Sequence, residues 1–365
     1  MKKLDWYILK KYLSTFFFII LLFSMLAIVI DASEKVDDFL EPEGPDMREI
    51  IVDYYVNFLP FINGLLIPLY SLIAVVFFTS KLAANSEFIA MIGNGINFYR
   101  LLVPYMVGAL FIATLHYVGN HYIIPRSNET RTTFENTYIW KHNYVGASDH
   151  FHLSCSPEEE FYLQRFNKYD SSGTNLAWIH YDSSQNRQTV LHAQRIRMIE
   201  PPNKWRLSGI RTREVVNNME FDMDIKEPTF EMETTLCLDI GDLIKRDNLK
   251  DNMTTNELIE YIDAQKAKGV GGTTVFEVER YRRTADPFSI IILTLIGFSV
   301  ASRKMRGGMA WHLVIGLLVS ALYIFIGKFT TTFSISGGLL PIVGTWIPNV
   351  FFSFVAIWML MRSQK

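Results

Sequence analysis

Charge is scarce in this 365-residue chain and is divided evenly between the two signs. Charged residues make up 20% of the sequence, and 35 Lys and Arg stand against 37 Asp and Glu, which gives a formal net charge of -2. This balance excludes a generally basic protein that coats nucleic acid, because such binding needs an excess of positive charge. The hydrophobic content of 49% excludes a disordered chain.

The signatures of several enzyme classes are also missing from the sequence. It contains no G-x-x-x-x-G-K-[ST], no H-E-x-x-H and no C-x-x-C, so it predicts neither a phosphate-binding loop nor a zinc-binding helix. It contains no G-x-S-x-G that could expose a nucleophilic serine. We therefore predict no catalytic residue, no metal and no cofactor, and we expect any energy for work to come from a partner or a gradient.

Long uncharged apolar runs dominate the two ends of the chain. A bilayer core of about 30 Å requires roughly 20 apolar helical residues. The runs at 101–115 and 287–302 reach that length only with their flanks, whereas the others fit directly. We predict an α-helical membrane protein with six transmembrane helices, called spans 1 to 6, at residues 12–30, 58–80, 101–115, 287–302, 309–327 and 339–361. Span 1 has a basic start like a signal peptide, but its apolar core is longer than the usual 7–15 residues, which favours a retained anchor.

The positions of Lys and Arg predict the orientation of the spans. Basic residues in short loops lie on the cytoplasmic side. Four Lys precede span 1, and the loop between spans 4 and 5 holds Arg303, Lys304 and Arg306. The stretch 31–53 after span 1 is instead mostly acidic. Both termini are therefore expected in the cytoplasm, and the long polar segment between spans 3 and 4 on the opposite side.

The polar segment has the alternation of an all-β domain. Hydrophobic residues recur with period two in about seven short stretches between 151 and 244, separated by turn clusters, which is typical of an antiparallel sandwich or roll. A capping box at 254–257 then predicts a short helix. The predicted organisation is spans 1–3 within 1–122, an inserted β-domain at 123–284 and spans 4–6 within 285–365. Both cysteines, Cys155 and Cys237, fall in this domain, and the sequence leaves open a disulfide or two free thiols.

The segment between spans 2 and 3 predicts a short interfacial helix at about 82–97. Ser86 or Asn85 could cap it, Glu87 lies in its first turn, where the helix dipole favours a carboxylate, and Gly93 and Gly95 would end it. A short helix carrying one acidic residue is a docking element for a cytoplasmic partner. An ordinary capped connector explains the same residues equally well.

Four segments, taken in order, resemble the LptF/LptG (YjgP/YjgQ) family of lipopolysaccharide export permeases. The resemblance covers essentially the whole chain. The first residues and the last span of the chain resemble the LptG type more than the LptF type, although the sequence does not decide between the two. The four segments are LDWYILKKYLSTF, SEFIAMIGNGINFYRLLVPY, EVERYRRTADPFSIIILTLIG and GGLLPIVGTWIPNVFFSFVAIWML.

The resemblance implies a function in outer-membrane biogenesis. In the family, two such permeases pair in the inner membrane and a cytoplasmic ATPase dimer of the LptB type drives them. Lipopolysaccharide enters a cavity between the two subunits, with spans 1 and 5 as lateral gates. It then passes through a periplasmic β-jellyroll to a similar fold in an LptC-like protein. Glu87 lies on the family's coupling glutamate, in a helix with Ser86, Gly93 and Gly95 that inserts into the ATPase.

Basic residues near the outer ends of the spans are candidates for contact with lipid phosphates. Some family members carry a Lys at the outer end of span 1, but here that stretch is net acidic and Lys35 is the only candidate, in a different register. Lys328 and the cluster of Arg280, Arg282 and Arg283 could supply the charge instead, since Arg suits bidentate phosphate contact. The alternative for the Arg cluster is anchoring at the membrane interface with Glu277 and Glu279 as ion-pair partners.

The sequence thus predicts the transmembrane permease subunit of an ABC transporter. It would extract lipopolysaccharide from the inner membrane and pass it to a periplasmic bridge, with ATP hydrolysis on a separate subunit. The alternative is a non-transporting inner-membrane receptor or assembly protein with a ligand-binding periplasmic β-domain, which needs no ATPase and gives Glu87 no function.

Overall fold

The computed structural model contains two compact units that interleave along the chain. The first comprises Met1–Ile139, Lys250–Leu258 and Thr274–Lys365, and the second comprises Trp140–Leu249 and Ile259–Thr273. The structure describes residues 3–363 apart from 43, 140–146, 157, 168–169, 182–186, 201–202, 217–218, 226–230, 237–248, 268–272 and 303–307.

The first unit contains all six predicted spans. Within the described residues, six helices are long and apolar enough to cross a membrane, which confirms the predicted fold class. Their bounds, from span 1 to span 6, are Lys3–Phe39, Met47–Ala84, Phe98–Ile139, Thr274–Ala301, Ala310–Ile335 and Pro341–Ser363.

Several helices extend well beyond the uncharged runs that identified them. The run 101–115 would span only about 22 Å as a helix. Its helix instead begins at Phe98 and continues to Ile139, so that residue 122, the predicted domain boundary, lies inside it. A π-helical turn at Gly119–Ile123 interrupts the α-helical pattern without ending the helix, and a second one, Glu135–Ile139, forms its last segment. Pro125 fits directly after the first of these turns because it occupies the first turn of the next α-helical stretch.

Spans 1 to 4 share a tightly packed aromatic core. Tyr12 and Tyr105 are completely buried, with ring centroids 5.8 Å apart. Span 3 can approach span 1 this closely because Gly108 has no side chain, and a Cβ there would lie 2.6 Å from Tyr12 Cδ1. Tyr12 also forms a hydrogen bond of 2.8 Å with Ser71 of span 2. Many large apolar side chains on the other helix faces remain exposed, as suits a surface solvated by lipid tails.

In the part of the second unit that the structure describes, seven strands form one antiparallel sheet. Strands β1 to β6 follow one another as a meander, and β7 pairs with the half of β5 that β6 leaves open. The antiparallel pairing and the strand number match the sequence prediction. The bounds from β1 to β7 are Ala147–Ser156, Glu159–Asn167, Ser172–Tyr181, Arg187–Glu200, Lys204–Val216, Met219–Ile225 and Glu231–Thr235.

One face of the sheet carries an apolar core. Phe166, Leu176 and Trp205 are almost completely buried, and the rings of Phe166 and Trp205 are 6.2 Å apart. Leu236, which follows β7, is buried against the same core. Cys155 lies in β1, but Cys237 lies outside the described residues, so the pairing of the two thiols stays open.

Two helices follow the sheet, Leu249–Asn252 and Thr255–Ala267. One of the two hydrogen bonds of the predicted capping box forms at the second one, where the backbone N–H of Thr254 donates to Glu257 Oε2 at 2.8 Å. This hydrogen bond lowers the pKa of Glu257 because it stabilises the charged carboxylate. The glycine-containing run Gly269–Gly272, shortly after this helix, lies outside the described residues.

Candidate coupling helix and polar clusters of the membrane unit

A short helix, Glu87–Gly93, connects spans 2 and 3 and matches the predicted docking element. Ser86 is its N-cap residue in a left-handed conformation with φ of 62°, and its side chain makes no capping hydrogen bond, contrary to the capping prediction. A left-handed residue turns the chain sharply after span 2, and this orientation does not aim the Ser86 hydroxyl at the first free N–H groups. Asn85 Nδ2 instead donates to Glu87 Oε1 at 3.2 Å.

The helix ends near the two predicted glycines. Asn94 N–H donates to Ala90 O at 3.0 Å, and Gly95 follows with φ of +81°, a conformation that glycine adopts without steric cost. Neither Gly93 nor Gly95 has a heavy atom within 4 Å of the position where a Cβ would stand. This end of the helix is therefore open, with room for contact by another molecule.

One side chain fixes the short helix to the transmembrane core. Phe88 is 2% exposed, and its ring centroid lies 6.3 Å from Phe98 of span 3 and 5.9 Å from Phe298 of span 4. Phe298 in turn contacts Tyr105 at 5.1 Å. The ends of spans 3 and 4 therefore resist movement of the short helix. Ile92, on the same helix, is exposed.

Lys35 lies in a buried ion cluster that joins spans 1, 2 and 3. Its Nζ donates to Asp31 Oδ1 at 2.8 Å, to Glu135 Oε1 at 3.2 Å and to the hydroxyl of Tyr54. Arg131 Nη1 donates to the same Glu135 oxygen at 2.7 Å. Two carboxylates therefore neutralise two cations inside the helix bundle.

Arg131 extends this cluster towards the segment that precedes the helix Thr255–Ala267. Its guanidinium donates to Asn128 Oδ1 and lies 4.2 Å from the ring centroid of Phe61. Asn128 donates to Asn252 Oδ1 at 2.6 Å, and Asn252 donates to Thr132 at 2.8 Å. The long third helix is thereby attached to the short helix Leu249–Asn252.

The arginine cluster of span 4 divides into three different environments. Arg283 is 3% exposed and donates to Glu279 and to the backbone carbonyls of Lys250 and Met253. Arg282 pairs with Glu279 at 2.8 Å. Arg280 is half-buried, with its guanidinium 5.6 Å from the ring centroid of Tyr281. Glu279 is therefore an ion-pair partner of the cluster, as the anchoring alternative predicts.

Lys328 is exposed and lines a pocket of about 240 Å³ among spans 2, 4, 5 and 6. Arg282 and Asp286 line the same pocket, whose other walls are mostly apolar. The structure thus brings Lys328 and Arg282 together, while Lys35, Arg280 and Arg283 do not line this pocket.

Apart from Glu279, sequence reasoning missed the acidic residues that accompany these basic residues. Asp31 and Lys35 are four residues apart, as are Arg131 and Glu135, a spacing that places each pair on one helix face and could have been noticed. Arg282 and Asp286 are also four residues apart, so the same spacing was present at the predicted start of span 4.

The geometry defines a polytopic membrane protein with a β-domain inserted between its third and fourth spans and a short anchored helix between its second and third. The chain belongs to the LptF/LptG family: the family model described as "Lipopolysaccharide export system permease LptF/LptG" matches residues 6–362. Family membership and the six apolar helices together indicate a multi-pass inner-membrane protein.

Two curated proteins that are similar to the chain are both LptG proteins, which is consistent with the LptG-like features of its sequence. Lipopolysaccharide export system permease protein LptG of Escherichia coli (strain K12) is 18% identical over 299 residues, which cover 81% of this chain and 81% of that protein. The protein of the same name from Escherichia coli O6:H1 (strain CFT073) has the same identity and coverage.

Proposed function

We propose that the chain is a transmembrane permease subunit of an ABC transporter that extracts lipopolysaccharide from the inner membrane and passes it to a periplasmic bridge. ATP hydrolysis takes place on a separate cytoplasmic ATPase dimer of the LptB type. The observation that carries the proposal is the family match over residues 6–362, in which Glu87 begins an exposed helix anchored by a buried phenylalanine.

The geometry of the short helix suits a mechanical connection to an ATPase. Glu87 lies in the first turn and is partly exposed, while its neighbour Phe88 is fixed between Phe98 and Phe298. A partner that binds around Glu87 and moves therefore displaces the ends of spans 3 and 4 as well. Ser86, Gly93 and Gly95 shape the two ends of this coupling element.

The remaining partners follow from the same proposal. A second LptF/LptG-type permease supplies the other wall of the lipid cavity, and the β-domain hands the lipid to an LptC-like jellyroll protein. Both termini and the Glu87 helix lie in the cytoplasm. Extraction is steeply uphill without ATP, because each CH₂ that leaves the bilayer costs about 0.8 kcal/mol.

Among the basic residues predicted for the substrate path, Lys328 is the best placed to bind a lipid phosphate. Its amine is exposed at a pocket with apolar walls, and Arg282 adds a second cation. Arg280 is half-buried. Lys35 and Arg283 are already paired inside the bundle, so either would have to break ion pairs before it could contact lipid.

Co-purification of the ATPase with Glu87→Lys tests the proposal. The substitution reverses the charge at the docking helix, so we expect loss of the bound ATPase and of lipopolysaccharide-stimulated ATP hydrolysis. Glu34→Lys is the matched control, since Glu34 is exposed on span 1 and lies outside the coupling segment. If the protein never carries an ATPase and Glu87→Lys cells remain viable, the non-transporting receptor becomes the better description.

A further inference from the structure

We propose that a pocket between spans 1 and 2, beside Glu87, binds an anionic phospholipid through its phosphate and the first part of an acyl chain. The pocket has a volume of about 280 Å³ and shares no lining residue with the Lys328 pocket. The proposal goes beyond the exported substrate, because it requires only that the spans cross a membrane.

The span 1 wall changes from polar to apolar along one helix face. Tyr7, Lys11, Thr15 and Phe18 line the pocket at spacings of four, four and three residues, which keeps them on one side of the helix. From Tyr7 to Phe18 the helix advances about 16 Å. That distance is roughly half the thickness of a bilayer core, so a molecule filling the pocket reaches from the membrane surface into the acyl-chain region.

Span 2 repeats this order. Lys81 lies one turn from the end of the helix at Ala84, and Phe77 lies one turn deeper on the same face. Phe18 is 61% exposed and Phe77 is 38% exposed, so both rings present apolar surface to an occupant. Each helix therefore places a cation at its polar end and an aromatic ring further inside, which is the order of a phosphate and an acyl chain in a lipid.

The charges of the pocket favour an anion. Lys11 and Lys81 are exposed, and neither makes an ion pair with any residue that the structure describes. Among the described residues of the lining, Glu87 contributes the single carboxylate, and it accepts a hydrogen bond from Asn85. Two ammonium groups against one carboxylate leave a net positive charge, which one phosphodiester neutralises. Basic pockets at the surface ends of transmembrane helices bind lipid headgroups in this way.

The depth of the aromatic rings distinguishes a lipid from other anionic occupants. A cytosolic protein or free phosphate could contact Lys11 and Lys81, but neither would cover Phe18 about 10 Å further along the helix. An acyl chain covers both rings without leaving the hydrocarbon region. The occupant that uses both parts of the pocket is therefore a phospholipid of the bilayer.

Native mass spectrometry of the detergent-solubilised permease with its co-purifying subunits, titrated with dioleoyl phosphatidylglycerol, tests this site. We expect Lys11→Gln and Lys81→Gln each to weaken lipid retention about fivefold, the factor that one lysine near an anionic lipid supplies. Lys10→Gln is the matched control because Lys10 is exposed but does not line the pocket, and we expect a change below about twofold. Retention of dioleoyl phosphatidylcholine should be the same in all three variants.

The acyl-chain part of the site is tested separately with Phe18→Ala. This variant should weaken retention of dioleoyl phosphatidylglycerol but not of a six-carbon-chain phosphatidylglycerol, and Lys11→Arg should retain both. Equal losses for Lys10→Gln and Lys11→Gln would overturn the proposal, as would displacement of the lipid by millimolar inorganic phosphate. Loss of a bound ATPase with unchanged lipid retention would identify the lysines as protein contacts. Lipid retention does not depend on transport, so it can fail or succeed independently of the export function.

Discussion

At the scale of single residues, Lys35 shows that burial in an ion cluster changes which function a charged side chain can have. The sequence offers it as a contact for lipid phosphate, whereas its amine is enclosed by Asp31, Tyr54 and Glu135. Removing one partner of a buried ion pair costs about 3–5 kcal/mol, because the other charge stays buried without compensation. Lys35 therefore contributes to the stability of the helix bundle, whether or not it also contacts lipid.

We predict that Lys35→Met lowers the free energy of unfolding of the detergent-solubilised protein by about 3 kcal/mol, the lower end of that range, because Arg131 still pairs with Glu135. A lower thermal unfolding midpoint would report this loss. The double variant Lys35→Met with Asp31→Leu should recover part of the loss, since it removes the orphaned carboxylate as well. A direct phosphate contact without a structural role would give the opposite pattern: an unchanged midpoint and weaker lipopolysaccharide crosslinking.

Lys328 is the residue with which the proposed substrate path can be tested. Reversing its charge with Lys328→Glu places a carboxylate beside Asp286 in the apolar-walled pocket, so we expect crosslinking of lipopolysaccharide to this pocket to fall severalfold. Lys328→Arg keeps the positive charge and should retain crosslinking. If the Glu variant crosslinks as well as the wild type, Lys328 lies outside the lipid path.

At the scale of elements, Phe88 makes the short helix and spans 3 and 4 into one packed assembly. Truncating a buried Phe to Ala typically costs about 3–5 kcal/mol, and here the lost contacts are those that join the helix to Phe98 and Phe298. We predict that Phe88→Ala uncouples the partner, so that ATP is still hydrolysed but the amount of lipopolysaccharide released per ATP falls severalfold.

The control for this variant is Phe111→Ala, which removes an exposed ring of span 3 that lies outside the aromatic core. Phe88→Leu should restore part of the coupling because it refills most of the volume. A proportional fall of ATP hydrolysis and lipid release in Phe88→Ala would show damage to docking or folding, and would contradict a role in transmission.

The sequence predicts helices and strands well wherever one local pattern of hydrophobic residues continues without interruption. The uncharged runs identify all six spans, and period-two alternation identifies the strands because both patterns are local. The extension of span 3 to Ile139 was missed, since 119–139 is polar and stays helical through two π-helical turns and long-range contacts such as that of Asn128 with Asn252. The contact between Lys35 and Glu135 was missed for the same reason, because it joins residues that are 100 positions apart in the sequence.

At the scale of the whole molecule, the proposed function requires one orientation in the membrane. The Glu87 helix must face the cytosol, where the ATPase is, and the sheet must face the periplasm. Basic residues flank spans 1, 2 and 3 at the ends that lie near Glu87, namely Lys10, Lys11, Lys81 and Arg100. The loop between spans 4 and 5 carries three more. These charges favour the cytoplasmic side for the Glu87 helix, whereas the long inserted domain is little constrained by the charge rule.

Single-cysteine labelling in a background with Cys155 and Cys237 replaced by Ser tests this orientation. Thr174 is exposed on β3 and Ala84 is exposed at the end of span 2, so cysteines there report on the two sides without changing any charge. We predict that a membrane-impermeant maleimide labels Thr174→Cys in intact spheroplasts, and labels Ala84→Cys only after the membrane is permeabilised. The reverse pattern would place the Glu87 helix in the periplasm, where no cytoplasmic ATPase could bind it. The coupling function of Glu87 and Phe88 would then be untenable, although the lipid pocket between spans 1 and 2 would remain.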